Sequence, residues 1–304
     1  GDELTAVLDA IEQGTPYSGA EKTEMKLGAH VLPRFLRDTT DRNRTSPFAF
    51  TGNKFEFRMV GSSNSIACAN IMLNAAVAES LRQYADLLEK ADDFEDALHS
   101  LIRKTIRTHK RIIFNGNGYD ESWIREATEK RGLLNLPTTP DALPYLLKEK
   151  NVEMLTRHKV YTPAELESRY ETTLENYCKT VRIEALTMVD MARREILPAV
   201  TAYTKELADT LLAKTAALPG LAGSYEKDLI GRLSELTEGI ASDAALLDTS
   251  VAALDASADA AAEANSIRDT LLPEMAALRA VCDKAEVLTA DRYWPFPTYG
   301  KLLF

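Results

Sequence analysis

Lys54, Glu56 and Arg58 alternate with Phe55 and Phe57. In an extended strand successive side chains point to opposite faces, so the three charges share one face and the two aromatics the other. A carboxylate between two cations suits a site that holds a divalent metal and an anionic ligand together. The carboxylate takes Mg²⁺ or Mn²⁺, and arginine clamps phosphate or carboxylate oxygens through its two-pronged fork. Arg44, upstream of the same strand, adds a further cation. The pattern describes equally well an exposed strand face whose Lys/Glu/Arg ladder does nothing but stay wet. Short patterns of this kind leave both readings open.

Several elements must position these residues. Phe48, Phe50, Phe55, Phe57, Met59 and Val60 surround a Thr51-Gly52-Asn53 turn signal, which predicts a β-hairpin over 48–60. Upstream, Leu4, Val7, Leu8 and Ile11 fall on one helical face, predicting a helix over 1–13 that stops at Gly14. Residues 20–47 read as polar and irregular. Helical periodicity returns at 65–90 and 93–114. Asn115-Gly116-Asn117-Gly118 breaks it, and Asp120 or Ser122 can cap the next helix. Residues 132–160 read as loops with short turns.

From there the chain reads as helix almost throughout. Thr162-Pro163-x-Glu165 marks a start, with helices expected over 163–180 and 182–215 and a kink at Pro198. Leu233, Ile240, Leu247, Leu254 and Ala261 recur every seven residues in an alanine-rich stretch, the seam of a helical bundle. The closing Tyr293-Trp294-Pro295-Phe296-Pro297-Thr298-Tyr299-Gly300 is too aromatic for a loose tail and is expected to dock. The fold class is therefore mainly α with a small antiparallel β element. The division expected is 1–150 with the hairpin and its following helices, and 151–304 with the bundle and aromatic tail.

Composition narrows the function classes. Of 304 residues, 36 are Lys or Arg and 46 Asp or Glu, a formal charge of −10. An acidic chain argues against a nucleic-acid partner. No apolar run approaches the roughly 20 residues of a membrane span. The N-terminus, opening on Asp2 and Glu3, has no secretory pattern. Cys68, Cys178 and Cys282 are odd in number and widely spaced, which fits reduced thiols in a cytoplasm. His30, His99, His109 and His158 are scattered and read as surface or packing residues. The basic run Lys104 to Arg111 reads as charges spread around a solvated helix face. Trp123 and Trp294 read as packing anchors.

The run Asp41 to Ser63, DRNRTSPFAFTGNKFEFRMVGSS, resembles the C-terminal catalytic strands of glutamine synthetases. There an Asn-Arg-Ser/Thr precedes a basic-x-Glu-x-Arg strand, and the wording here is similar to type III members. NGNGYDESW (115–123), RGLLNLPTTPDALP (131–144), YCKTVRIEALTMVDMA (177–192) and the closing WPFPTYGKLLF (294–304) resemble the same type, in order along most of the chain. The resemblance implies a C-terminal part of an α+β catalytic domain, joined to a long-helix bundle. It implies ATP-dependent ligation of ammonia to L-glutamate through γ-glutamyl phosphate.

Carried over residue by residue, Glu56 resembles the glutamate that holds the divalent ion, and Arg58 the arginine that contacts glutamate and the transferred phosphoryl group. Arg44 resembles an arginine that stabilises charge during transfer. Lys54 stands where other classes have an arginine near the ATP phosphates. The charge survives there without the fork. The family's flap glutamate, in an Asn-Glu-Ala-Pro-Pro-like segment, has no counterpart here, and neither do its earlier Glu and His metal ligands. The start at Gly1, inside a helical pattern, agrees with a missing upstream part. The chain is therefore expected to be incomplete by itself and homo-oligomeric in the full-length protein. The rival reading is a non-catalytic helical assembly module.

Overall fold

The computed structural model describes residues 2–17, 19, 24–25, 35–36, 45–50, 54–58, 61, 64–254, 259–297 and 299–302. They divide into two compact units, Gly1–Leu136 with Glu153–Thr162, and Pro137–Val152 with Pro163–Phe304. Residue 150, the division read from sequence, lies within helix α6, Glu149–Arg157.

The first unit opens with α1, Asp2–Gln13, which ends where Gly14 turns the backbone to φ +72°. Two two-residue strands, β1 (Glu24–Met25) and β2 (Phe35–Leu36), pair antiparallel in the stretch read as irregular. The expected hairpin follows as β3 (Phe48–Phe50) and β4 (Phe55–Phe57), with Ala49 opposite Glu56. Helix α2 spans Ala67–Leu88, and α3, Phe94–His109, is capped by the Asp93 carboxylate on the Asp96 N–H at 3.0 Å. Helix α4, Glu121–Arg125, starts on an Asp120 cap and runs into a π turn over Glu126–Lys130.

The basic residues at the end of α3 and in the turn after it are exposed, as expected, yet several of them hold α1. Arg103 and Arg107 donate to the carbonyls of Ile11 and Glu12, and Lys110 binds the carboxylates of Asp9 and Glu12 at 2.9 and 2.6 Å. Spacings of four and three residues put these cations on one stripe. Arg103 and Arg107 satisfy carbonyls at the open end of α1, whose own last turn has no basic residue, and Lys110 adds a positive charge there.

A second node involves Glu79, 8% exposed on α2. It accepts hydrogen bonds from Arg82, Gln83 and Arg157, each at 2.8 Å, and its other oxygen lies 2.9 Å from His158 Nε2. His158 is thus a packing histidine. Arg82 first, then Gln83, holds the Glu79 carboxyl well below the usual carboxylate range. Through this node the returning segment 153–162 is fastened to α2.

In the second unit a Thr138-capped turn, α5 (Thr139–Ala142), precedes a 3₁₀ turn over Leu143–Leu147 and then α6. The region read as loops therefore contains a helix, whose later residues, with fully buried Leu155, belong to the first unit. Helix α7, Pro163–Met191, continues without the expected break near 181, because Val181 is buried in the core and no Gly or Pro interrupts it. It passes through a π turn, Ala192–Ile196, into α8, Leu197–Ala217. Pro198 explains the turn: it has no N–H to donate, and its ring would meet the carbonyl four residues earlier, so the helix widens. Pro273 repeats this after the π turn Ile267–Leu271, which joins α10 (Ala260–Ser266) to α11 (Leu272–Leu288).

The centre of this unit is α9, Ser224–Leu254. Leu233, Ile240, Ala244 and Leu247 have no exposure, and α7, α8 and α11 all pack on α9. The seven-residue seam is real as far as Leu254. Ala261, its fifth expected member, lies on α10 and packs against the same core. The seam is satisfied within the chain. At the α8–α9 turn, Lys214 donates to the buried Glu226. The aromatic tail docks as expected: Trp294 and Phe296 pack on the core, Tyr203 and Tyr293 are 5.4 Å apart, and Glu206 accepts from Arg292 and Tyr293. A last turn, α12, covers Tyr299–Leu302.

Two outcomes follow. Leu247→Ala leaves a cavity on the buried seam and should cost about 2–5 kcal/mol in urea unfolding. A change within experimental error would show the seam to be loosely packed. For Glu79, a depressed folded-state pKa means its stabilisation is present above the unfolded value of about 4.3 and is lost as pH falls below it. The urea midpoint, followed from about pH 6 to pH 3, should fall more steeply for the parent chain than for Glu79→Gln, which starts lower.

Candidate functional site

The charged face of β4 is built by register. Ala49, opposite Glu56, is buried, so the strand turns its Ala49/Glu56 side inward. The four phenylalanines of the hairpin lie together on the other, open side. A simple expectation of apolar-in and charged-out is reversed. The Arg58 N–H donates to the Pro47 carbonyl at 2.8 Å, which continues the ladder one step beyond the strand.

On this face the Arg58 guanidinium meets Glu56 Oε2 through Nη2 at 2.5 Å and Nε at 3.1 Å, and Lys54 Nζ stands 3.7 Å from Oε1. Arg58 and Glu56 are half-buried, whereas Lys54 is exposed. The Arg58 hydrogen bond, with the nearby positive charge, lowers the Glu56 pKa and keeps the carboxyl ionised. The structure thus brings Lys54, Glu56 and Arg58 together. Arg44 lies outside the described residues. Among the described residues no three His, Cys, Asp or Glu converge as a metal ion would need. Glu56 fits as a single ligand of a divalent ion, so these residues do not make a complete metal site.

Sequence reasoning missed how the chain beside Arg44 is anchored. The Asn115–Gly118 turn was read as a helix break, which it is, but it also grips Thr45. The Gly118 N–H donates to Thr45 Oγ1 at 2.6 Å, and Asn115 Nδ2 donates to Thr5 Oγ1 at 2.5 Å. A Cβ on Gly118 would lie 2.5 Å from the Thr45 carbonyl oxygen, so only glycine allows this approach. Behind the turn Trp123 stacks on Phe114 at 3.7 Å with Arg131 over its ring. The paired glycines were the available signal, but nothing local tells which backbone they approach.

Two cavities, about 640 Å³ beside α1 and the end of α3 and about 580 Å³ between α2 and His158, are lined by other residues than Lys54, Glu56 and Arg58.

Residues 97–215 match the glutamine synthetase C-terminal domain family. Over its full length the chain is 36% identical to a glutamine synthetase of Butyrivibrio fibrisolvens and 35% identical to a type-3 glutamine synthetase of Dictyostelium discoideum. A glutamine synthetase of Bacteroides fragilis is 32% identical over the same span. The chain belongs to the glutamine synthetase family. It spans less than half the length of these relatives, 42–43% of each. The family-model match begins after the hairpin, whereas the three relatives align across it. Within this glutamine synthetase-family chain, no helix among the described residues is long and apolar enough to cross a membrane.

Gly118→Ala should push the Thr45 backbone away from the 115–118 turn. Hydrogen exchange at residues 45–50 should quicken while α9 stays protected. Unchanged exchange at 45–50 would show that the contact anchors nothing.

Proposed function

We propose that this chain supplies the arginine–glutamate strand of a glutamine synthetase, the part that clamps anionic oxygens during ATP-dependent ligation of ammonia to L-glutamate. The observation carrying this reading is the half-buried Glu56 held between Arg58 and Lys54 on the inward face of β4. Similarity to glutamine synthetases across the whole chain supports it. Arg58, whose Nε and Nη2 hold Glu56 in this structure, carries a guanidinium fork of the shape that binds carboxylate or phosphoryl oxygens, which a lysine could not reproduce. Glu56 would contribute one carboxylate to Mg²⁺ or Mn²⁺, whose presence lets the phosphoryl oxygens lose charge repulsion. Lys54 lies within reach of the same anions as a mobile point charge, in keeping with a role near ATP phosphates. Arg44 is proposed beside them from the sequence resemblance alone.

By itself the chain is expected to make no glutamine, since its carboxylate is a lone ligand. Buried free Cys178 and Cys282, with exposed free Cys68, fit a reducing, cytoplasmic setting. Homo-oligomerisation in the full-length protein remains part of the proposal. Because the α9 seam is filled within the chain, other surfaces would carry the assembly.

In a full-length protein containing this chain, Glu56→Gln should lower glutamine formation by at least about 100-fold with the fold intact, as expected for loss of a charge at a phosphoryl-transfer centre. Arg58→Lys should also be severe. Wild-type turnover and metal dependence in Glu56→Gln, measured by ATP-dependent glutamine synthesis, would overturn the assignment.

A further inference from the structure

The cavity beside α1 and the end of α3 holds about 640 Å³, a size common among small-molecule sites. Part of its lining is apolar: Leu8, Ile106, Ile113 and Phe114. The rest is polar and charged, and its three cations are not equivalent. Arg131 is fully engaged, with Nε on Glu126 Oε1 at 2.8 Å and Nη1 on the Ile113 carbonyl at 2.7 Å. Lys110 is held by Asp9 and Glu12. Arg111 differs. It is exposed, and among the described residues its guanidinium makes no ion pair and one hydrogen bond, a long one of 3.5 Å to the Arg131 carbonyl. A fork with most of its donors unused, beside an apolar wall, suits an anion that carries an apolar body. The backbone next to the cavity is also unusual. The π turns at 192–196 and 267–271 lead into Pro198 and Pro273, whereas the one at Glu126–Lys130 is followed by no proline before Pro137. A π turn that no proline forces recurs at functional sites. This one sets Glu126 and Arg131 on the cavity wall, with the Arg131 N–H on the Glu126 carbonyl at 3.0 Å.

We propose that this cavity is a binding site for a small organic anion, and it shares no lining residue with the Lys54, Glu56 and Arg58 face. A carboxylate or phosphate monoester head lies on the Arg111 fork, and an apolar body packs against Ile106, Ile113 and Phe114. Occupancy is felt at the hairpin. Asn115 lines the cavity and donates to Thr5 Oγ1, and it opens the turn whose Gly118 N–H holds Thr45 Oγ1 at 2.6 Å. An anion that orders 111–118 therefore steadies the chain just before β3. The link is a short run of hydrogen bonds within one unit, which is a physical connection of the kind coupling requires.

The probes are phenylacetate and phenyl phosphate, which share an apolar ring and differ in the charged head. Titration calorimetry on the 304-residue chain should give a Kd below about 1 mM for at least one of them, and the tighter of the two identifies the head. Neutral phenylacetamide, and acetate or inorganic phosphate without the ring, should each bind at least about tenfold more weakly. Arg111→Gln should weaken the anion by at least about tenfold with the urea midpoint unchanged. Arg111→Lys keeps the charge without the fork and should fall between, and it decides the matter if Arg111→Gln lowers the midpoint. Lys104→Gln, an exposed change on α3 outside the cavity, should alter nothing. Bound probe should slow hydrogen exchange at 110–118 and, to a lesser degree, at 45–50. In a full-length protein containing this chain the probe should stay bound at saturating ATP and L-glutamate. The proposal is overturned if neither anion binds, if phenylacetamide binds as well as phenylacetate, or if Arg111→Gln and Arg111→Lys keep full affinity. Protection confined to 54–58, or loss of the site in the full-length protein, also overturns it. None of these readouts is glutamine formation, so this site and the proposed function fail separately.

Discussion

A carboxylate withdrawn from water must be given donors, and much of this chain's long-range architecture is arranged to provide them. Glu79 takes two arginines, a glutamine and a histidine, and in doing so ties residues 153–162 to α2. Glu226 takes Lys214 across the α8–α9 turn, and Asp141 takes Arg268 at 2.6 Å, linking α5 to the turn before α11. Glu56 follows the same rule on β4, where Arg58 and Lys54 flank it. Its difference lies in location rather than chemistry: it sits on a strand rather than between helices, and its neighbours leave it partly open. A structural ion pair and a ligand-binding one obey one electrostatic requirement, so the pair alone does not decide which this is.

Backbone polar groups impose the matching constraint at the helix ends. The last carbonyls of α1 find Arg103 and Arg107 from α3, whereas α3 itself is closed by Asp93. Two prolines inside otherwise continuous helices are absorbed by π turns, which widen the helix without ending it. Gly118 gives up a side chain so that its N–H can reach Thr45. Of these devices, the Gly118–Thr45 contact holds the backbone just before β3.

The sequence by itself determined the helical class, the hairpin, the α9 seam, the docking tail and the family. Each rests on local periodicity or on a long motif, and both survive without knowledge of the rest of the chain. The triad Lys54, Glu56 and Arg58 was legible for the same reason, since strand alternation alone puts them on one face. Tertiary structure decided which face that would be. Periodicity separates phenylalanines from charges but not inside from outside, and here buried Ala49 sets the charged side inward. It also decided that Arg103 and Arg107 would cap a helix roughly a hundred residues away in sequence, that Lys110 would pair with its carboxylates, and that His158 would meet Glu79. It placed a helix in 149–157 and carried α7 unbroken past 181. Such choices depend on which partners folding brings within about 3 Å, because a charge or a glycine is satisfied only by a neighbour in space, and its neighbours in sequence do not name that partner.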